Sequence, residues 1–407
     1  MFGVVEGFYG PVWDWVDRIS IVEFLGRIEL KLYIYGPKWD PYHRVWWRNP
    51  YDTSFIDRFT MFVDACKRYG VEPVFALSPG LDIDYSSQTD LGLLLRKFGL
   101  FMDLGVESIA LFLDDIPPVV RGKGFKSLAE AQAKLVNHVY KELSPKNMIL
   151  CPTYYRGIVE DYMSELGRLL DPEIHVMWTG MYVCSISITR EDIEKTTRVL
   201  GRKPFIWDNY PVNDYFTCRG ITRLHVGPII NRAENLAEIV SGYAANPANQ
   251  VEASKIPLYT IAKMVNEGAS YDPQRALKEA ITLVINKSAR YWFERFIEFN
   301  KATFMDPSEE TIDNRNADEV LEIVKSLKET MTNKRLLKEI TPVLDKMEAI
   351  AKYAKGEQVN LSLSYRVQTA GEYNPPIPDE HMRNEMFGKI VRVLPWYVES
   401  YPEQKWW

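Results

Sequence analysis

The stretch Ser108-Ile109-Ala110-Leu111-Phe112-Leu113-Asp114-Asp115-Ile116 decides how the rest of this chain is read. Its apolar run, residues 109–113, has no polar interruption, as in a strand buried on both faces. The run leads into two adjacent carboxylates and then into Pro117 and Pro118. Prolines stop a strand because they have no N–H to give the ladder. Two acids at the carboxyl end of a buried strand are costly without partners or a task. Neighbouring like charges oppose each other's ionisation, so such a pair can hold one proton between them, which is the equipment of acid–base chemistry. Helix-capping or salt-bridged aspartates, or a divalent-metal site, are the alternatives that this stretch alone leaves open.

Outward from that strand one rhythm repeats. Strand-like segments at 3–9, 30–35, 72–77, 148–155, 174–179, 204–207 and 222–226 alternate with helix-like ones at 15–26, 54–68, 91–102, 128–143 and 159–170. Two further helices begin at Thr189 and near Ala233. With 109–113 as the fourth strand, eight strands alternating with helices predict an α/β fold, a parallel (β/α)8 TIM barrel. An open doubly wound sheet is the runner-up, but no glycine-rich phosphate loop follows the first strand. Barrel active sites lie at the carboxyl ends of the strands. The polar residues there are Glu6, Tyr9, Lys38, Asp114, Asp115, Tyr155, Trp207, Asp208, Asn209 and Asp214. Glu6 and Asp208 read equally well as barrel-lining or loop-pinning groups.

The β signal ends near Pro257, so residues 1–255 are expected to form the catalytic barrel and 256–407 a C-terminal α-helical domain with an irregular tail from 360. Helical patterns cover 273–299, 317–330 and 334–355. Ile323, Leu327 and Met331, and likewise Leu336, Ile340 and Leu344, fall four apart on one face of a helix, the signature of a bundle core. That region is expected to support the cleft or a homodimer contact and to carry no second catalytic unit.

Composition excludes several classes. The chain has 407 residues and a net charge of −6, which argues against nucleic acid as a partner. No apolar run approaches the ~18 residues of a membrane span, and no secretory leader is visible at Met1, so a cytoplasmic protein without membrane association is expected. Cys66, Cys151, Cys184 and Cys218, like the five histidines, are scattered without metal-ligand spacing, so no metal is expected and the cysteines read as reduced thiols. Aromatic content is 13%, with 11 Trp, enough for sugar-stacking platforms as well as for cores.

Several motifs occur in one order. They are Gly3-Val-Val-Glu-Gly-Phe-Tyr-Gly-Pro11, then Tyr35-Gly-Pro-Lys38 with His43-Arg44 and Trp47-Arg48, the Asp114-Asp115 pair, Cys151-Pro-Thr153, Trp178-Thr-Gly180, and Trp207-Asp-Asn-Tyr-Pro-Val-Asn-Asp214. Over roughly residues 3–255 this series resembles the family 84 glycoside hydrolases, the O-GlcNAcase and hyaluronidase-like β-N-acetylglucosaminidases. The resemblance implies retaining hydrolysis of terminal β-linked N-acetylglucosamine from a glycan or glycoprotein, with no cofactor. The substrate's own acetamido oxygen attacks and an oxazoline forms, one of the exceptions to the two-carboxylate scheme.

On that resemblance Asp114 accepts the acetamido N–H, and Asp115 is the acid and then the base. Gly7 brings backbone to the sugar, and Tyr9 belongs to the same wall. Lys38 binds a ring hydroxyl, and Tyr155 hydrogen-bonds the acetamido oxygen. Thr179 and Val183 line the acetamido pocket and Trp207 is its floor. Asn209 contacts the reacting region, and Asp214 the distal hydroxyls together with Asn246. Two departures stand out: Trp39-Asp40 replaces the usual two acids after Pro-Lys, and Tyr154 stands where an acid is usual. The rival readings are a hydrolase of another N-acetylhexosamine or of a longer glycan, and a barrel that binds sugar without cleaving it.

Overall fold

The computed structural model describes residues 1–214 and 223–359. The tail from 360, Cys218 and Thr222 lie outside the described residues. Eight parallel strands form a closed barrel. They are β1 (Phe2–Glu6), β2 (Leu32–Tyr35), β3 (Glu72–Leu77), β4 (Ser108–Phe112), β5 (Asn147–Cys151), β6 (His175–Trp178), β7 (Phe205–Asp208) and β8 (Gly242–Ala245). Each pairs with the next, and β8 returns to β1 through Gly3 opposite Ala244.

Around them lie α1 (Trp15–Arg27), α2 (Thr53–Tyr69), α3 (Gln88–Asp103), α4 (Leu128–Leu143), α5 (Glu160–Leu169), α6 (Arg190–Leu200), the short α7 (Leu236–Ile239) and α8 (Val251–Glu267). Their starts are written locally. Asp52, Ser87, Ser127 and Thr189 each accept a first-turn backbone N–H in their side chains.

The eighth strand is not at 222–226. The described part of that segment, from Arg223, is not strand, and Leu224 and Val226 are buried in a second core beyond the barrel. Gly242-Tyr-Ala-Ala245 closes the barrel instead. Its glycine is required by packing, because a Cβ there would sit 2.3 Å from the Phe205 ring. The helix expected near Ala233 is only the single turn α7.

Beyond the barrel come α9 (Pro273–Val284), α10 (Arg290–Glu298), α11 (Ala317–Thr330) and α12 (Lys334–Ala354). The continuous helix expected over 273–299 is broken at Ile285, whose backbone is extended. The stripes Ile323–Leu327–Met331 and Leu336–Ile340–Leu344 are buried in the second core. Helix α8 runs through residue 255. Val251, Leu258 and Ile261 pack on the barrel side, whereas Ala253 and Ile256 belong to the second core. Glu339 of α12 completes the join by accepting the N–H groups of Glu252 and Ala253 at the start of α8.

Strand alternation sorts the side chains into two rows. Val5, Ile34, Val74, Ala110, Phe112, Ile149, Cys151, Met177, Phe205, Trp207 and Ala244 fill the barrel interior. Val4, Tyr33, Phe75, Ile109, Leu111, Leu150, Val176, Ile206 and Tyr243 face the helices. Extended past the strand ends, the interior row reaches Gly7, Lys38, Asp114, Tyr155, Thr179, Asn209 and Asn246.

Candidate active site

Asp114 is buried at the mouth, and its Oδ2 accepts a 2.5 Å bond from Lys38 Nζ. Its other oxygen, Oδ1, is buried without a hydrogen-bond partner among the described residues. The Lys38 ammonium, held by Asp114, lies 5.3 Å from the Phe112 ring centre and 5.5 Å from that of Trp207. Such a cation over two aromatic faces suits a buried lysine.

By alternation Asp115 should face away from Asp114. Instead its φ of +51° turns the chain, and its carboxylate accepts from Tyr9 Oη (2.9 Å) and Tyr155 Oη (2.7 Å). Tyr155 therefore bonds the second aspartate in this structure. The Tyr154 ring packs on Tyr162. Burial, with the nearby carboxylates, pushes the Tyr9 hydroxyl well above its ordinary value, so it is a donor throughout the neutral range.

Below the aspartates lies a fixed aromatic floor. Trp207 is 5.1 Å from Phe112, and its indole N–H donates to Asn209 Oδ1 (2.8 Å). The same oxygen accepts from Asn246 Nδ2 (2.9 Å), while Asn209 Nδ2 donates to the Val183 carbonyl (2.8 Å). Val183 packs on the interior cluster that holds Trp207 and Tyr155. Thr179 spends its hydroxyl on the Tyr182 carbonyl and its N–H on that of Tyr155.

Gly7 lies against the Trp207 ring, where a Cβ would meet Cζ2 at 2.3 Å; its N–H faces Asn246 Oδ1 at 3.3 Å. Asp214 accepts from the Tyr9 N–H at 2.8 Å. The Asn246 side chain bonds Gly7 and Asn209.

Glu6 and Asp208 continue the outward row and are pins. Arg18 clamps Glu6 through two bonds and Tyr33 adds a third. Arg232 and Tyr243 do the same for Asp208. Cys151, beside Asp114, is no nucleophile, because burial first and Asp114 next push its thiol far up. Among the described residues no three His, Cys, Asp or Glu side chains gather as a metal-binding group. Arg44 received no role from sequence, yet it is buried and its Nη2 donates to the Asp115 carbonyl at 2.9 Å. Its sequence signal was its place, as His43-Arg44, in the motif series after Lys38.

A parallel barrel with paired acids at its carboxyl mouth, above an aromatic floor, has the build of a glycoside hydrolase. Comparison with known proteins narrows the class. A β-N-acetylglucosaminidase family model matches residues 2–298. Protein O-GlcNAcase of Rattus norvegicus and that of Mus musculus are each 33% identical over 327 residues, covering 69% of this chain. An aspartate-to-asparagine variant of the Thermobaculum terrenum O-GlcNAc hydrolase superposes with a TM-score of 0.79 at 28% identity, covering 99% of this chain and 96% of that one. This chain belongs to the β-N-acetylglucosaminidase family, glycoside hydrolase family 84. It spans about a third of the length of the mammalian relatives, 35% of each.

Proposed function

We propose that this protein is a retaining exo-β-N-acetylglucosaminidase that removes terminal N-acetylglucosamine from glycoproteins or glycans by substrate assistance. The observation that carries the reading is Asp114. One oxygen is fixed by Lys38 and the other is buried with no hydrogen-bond partner among the described residues, an arrangement that is costly unless a donor arrives. The N–H of a 2-acetamido group is such a donor.

With Asp114 accepting that N–H, the acetamido oxygen gains electron density and attacks the anomeric carbon. The glycosidic C–O bond breaks as Asp115 gives its proton to the leaving oxygen and Asp114 takes the acetamido N–H proton, leaving a neutral oxazoline. Asp115 then takes a proton from water, whose oxygen opens the oxazoline at the same carbon, and Asp114 returns the N–H proton to restore the acetamide. Two inversions give net retention. Tyr155, within reach of Asp115, can turn its hydroxyl toward the acetamido oxygen as charge changes there. Trp207, held by Asn209, offers the acetyl methyl an apolar floor.

Support also comes from the other strand-end acids. Glu6 and Asp208 are locked in outward pins, so neither is placed as a covalent nucleophile. The test compares an aryl β-N-acetylglucosaminide with the matching aryl β-glucoside. Turnover of the first and none of the second is expected. Equal turnover, or none of either, refutes the reading.

A further inference from the structure

Asp115 carries a backbone conformation that needs a cause. Its φ of +51° is in the left-handed region, which residues other than glycine adopt uncommonly, aspartate and asparagine more than most. The conformation is useful, because it reverses the strand alternation and brings the second carboxylate to the mouth beside the first. Without it Asp115 would follow Leu113 and Leu111 toward the helices, which are packed in the outer core.

The loop between β2 and α2 reaches the Asp115 peptide. Arg44, fully buried, reaches back with Nη2 to the Asp115 carbonyl (2.9 Å) and with Nη1 to Ser78 Oγ (3.0 Å). This loop is fastened to the end of β3. The Ser78 N–H donates to the His43 carbonyl (2.9 Å), and His43 Nδ1 donates to the Ala76 carbonyl (2.8 Å). Lys97 of α3 brackets the same loop. Its ammonium donates to the carbonyls of Tyr42 (2.8 Å) and Trp47 (2.7 Å), on either side of Arg44. Lys38, in this loop too, fixes Asp114. One loop thus holds both aspartates, the first by its side chain and the second by its backbone.

We infer that Arg44 is a positioning residue for proton donation: it holds the Asp115 peptide in the left-handed turn that aims this carboxyl at the leaving oxygen, and Ser78 and Lys97 hold Arg44. The inference rests on Asp115 being the proton donor.

The test uses the full chain and a series of aryl β-N-acetylglucosaminides whose phenols range from strongly to weakly acidic. Arg44→Met is expected to lose roughly 10²-fold or more in kcat/KM on the least acidic phenol, the lower range of what a positioned acid supplies, and far less on the most acidic one. Arg44→Lys, which keeps the charge but cannot fork to two acceptors, is expected to fall between. A loss equal across the series would show a general structural role and overturn the inference, as would a wild-type slope. Should Arg44→Met fail to fold, Ser78→Ala and Lys97→Met decide. A steeper leaving-group dependence in either supports the inference, and wild-type slopes in both overturn it. An active wild type with unaltered slopes removes this inference alone, whereas a wild type inactive on the whole series removes the acid–base reading beneath it as well.

Discussion

Gly7→Ala is the substitution whose outcome the packing fixes most closely. A Cβ on Gly7 would lie 2.3 Å from Trp207 Cζ2 and 2.5 Å from Cη2. That is roughly 1 Å inside the ~3.5 Å at which two carbons rest. The indole cannot simply retreat, because Asn209 holds its N–H and Phe112 packs 5.1 Å away. Overpacking of this kind costs about 1–3 kcal/mol, which corresponds to a Tm loss of roughly 2–10 °C. A floor displaced by about 1 Å should also lower kcat/KM by about 10²-fold. Trp207→Phe supplies the control, because a phenyl ring lacks the edge that the new methyl strikes. On that background Gly7→Ala should be markedly milder in thermal melts, with a coupling energy of about 1 kcal/mol or more. Additive Tm losses would refute the reasoning and would leave Gly7 as a residue required by the sugar itself.

Asp115→Asn should retain activity on aryl glycosides with acidic phenols, whereas Asp114→Asn should stay impaired across the series; identical leaving-group profiles would reverse or void the roles. Burial pushes His225 down to about 3, so between pH 6.5 and 3 the unfolded chain binds a proton that the folded one does not. Stability should therefore fall with pH in that window, by about 2 kcal/mol for this group between pH 7 and 5, and His225→Asn should flatten the slope in urea titrations. His43, also held well below its ordinary value by burial and by Lys38, should add a loss in the same direction. Deleting 305–407 should yield an insoluble chain, because α11 and α12 cover Ile256, Leu224 and the rest of the second core; a soluble product with unchanged kinetics would show that region to be dispensable.

Seven of the eight barrel strands were legible because their apolar runs are long and end in glycine, proline or polar clusters. The eighth was not, for a physical reason. Gly242-Tyr-Ala-Ala245 carries no β-branched residue, and at Gly242 the Phe205 ring and the Met1 carbonyl leave no space for a side chain. Leu224 and Val226 alternate convincingly but are buried in a different core. Most of the candidate site could be read as a continuation of the interior row, and the same parity separates Glu6 and Asp208 from it. Asp115 breaks parity through its backbone, so its direction could not be counted along the strand. Lys38 on Asp114, Arg44 on Asp115 and Asn246 on Gly7 join residues 76, 71 and 239 positions apart, and no local pattern announces such pairs.

Whether the substrate supplies its own nucleophile is decided most directly by turnover of a series bearing acetyl, monofluoroacetyl, difluoroacetyl and trifluoroacetyl groups on one aryl glycoside. Each fluorine withdraws electron density from the attacking oxygen, and a well-placed internal nucleophile is worth an effective molarity of roughly 10⁵–10⁸ M. A steep, monotonic fall in kcat/KM with fluorine number is the predicted result. A flat series, or a sugar covalently trapped on the protein, would contradict the mechanism.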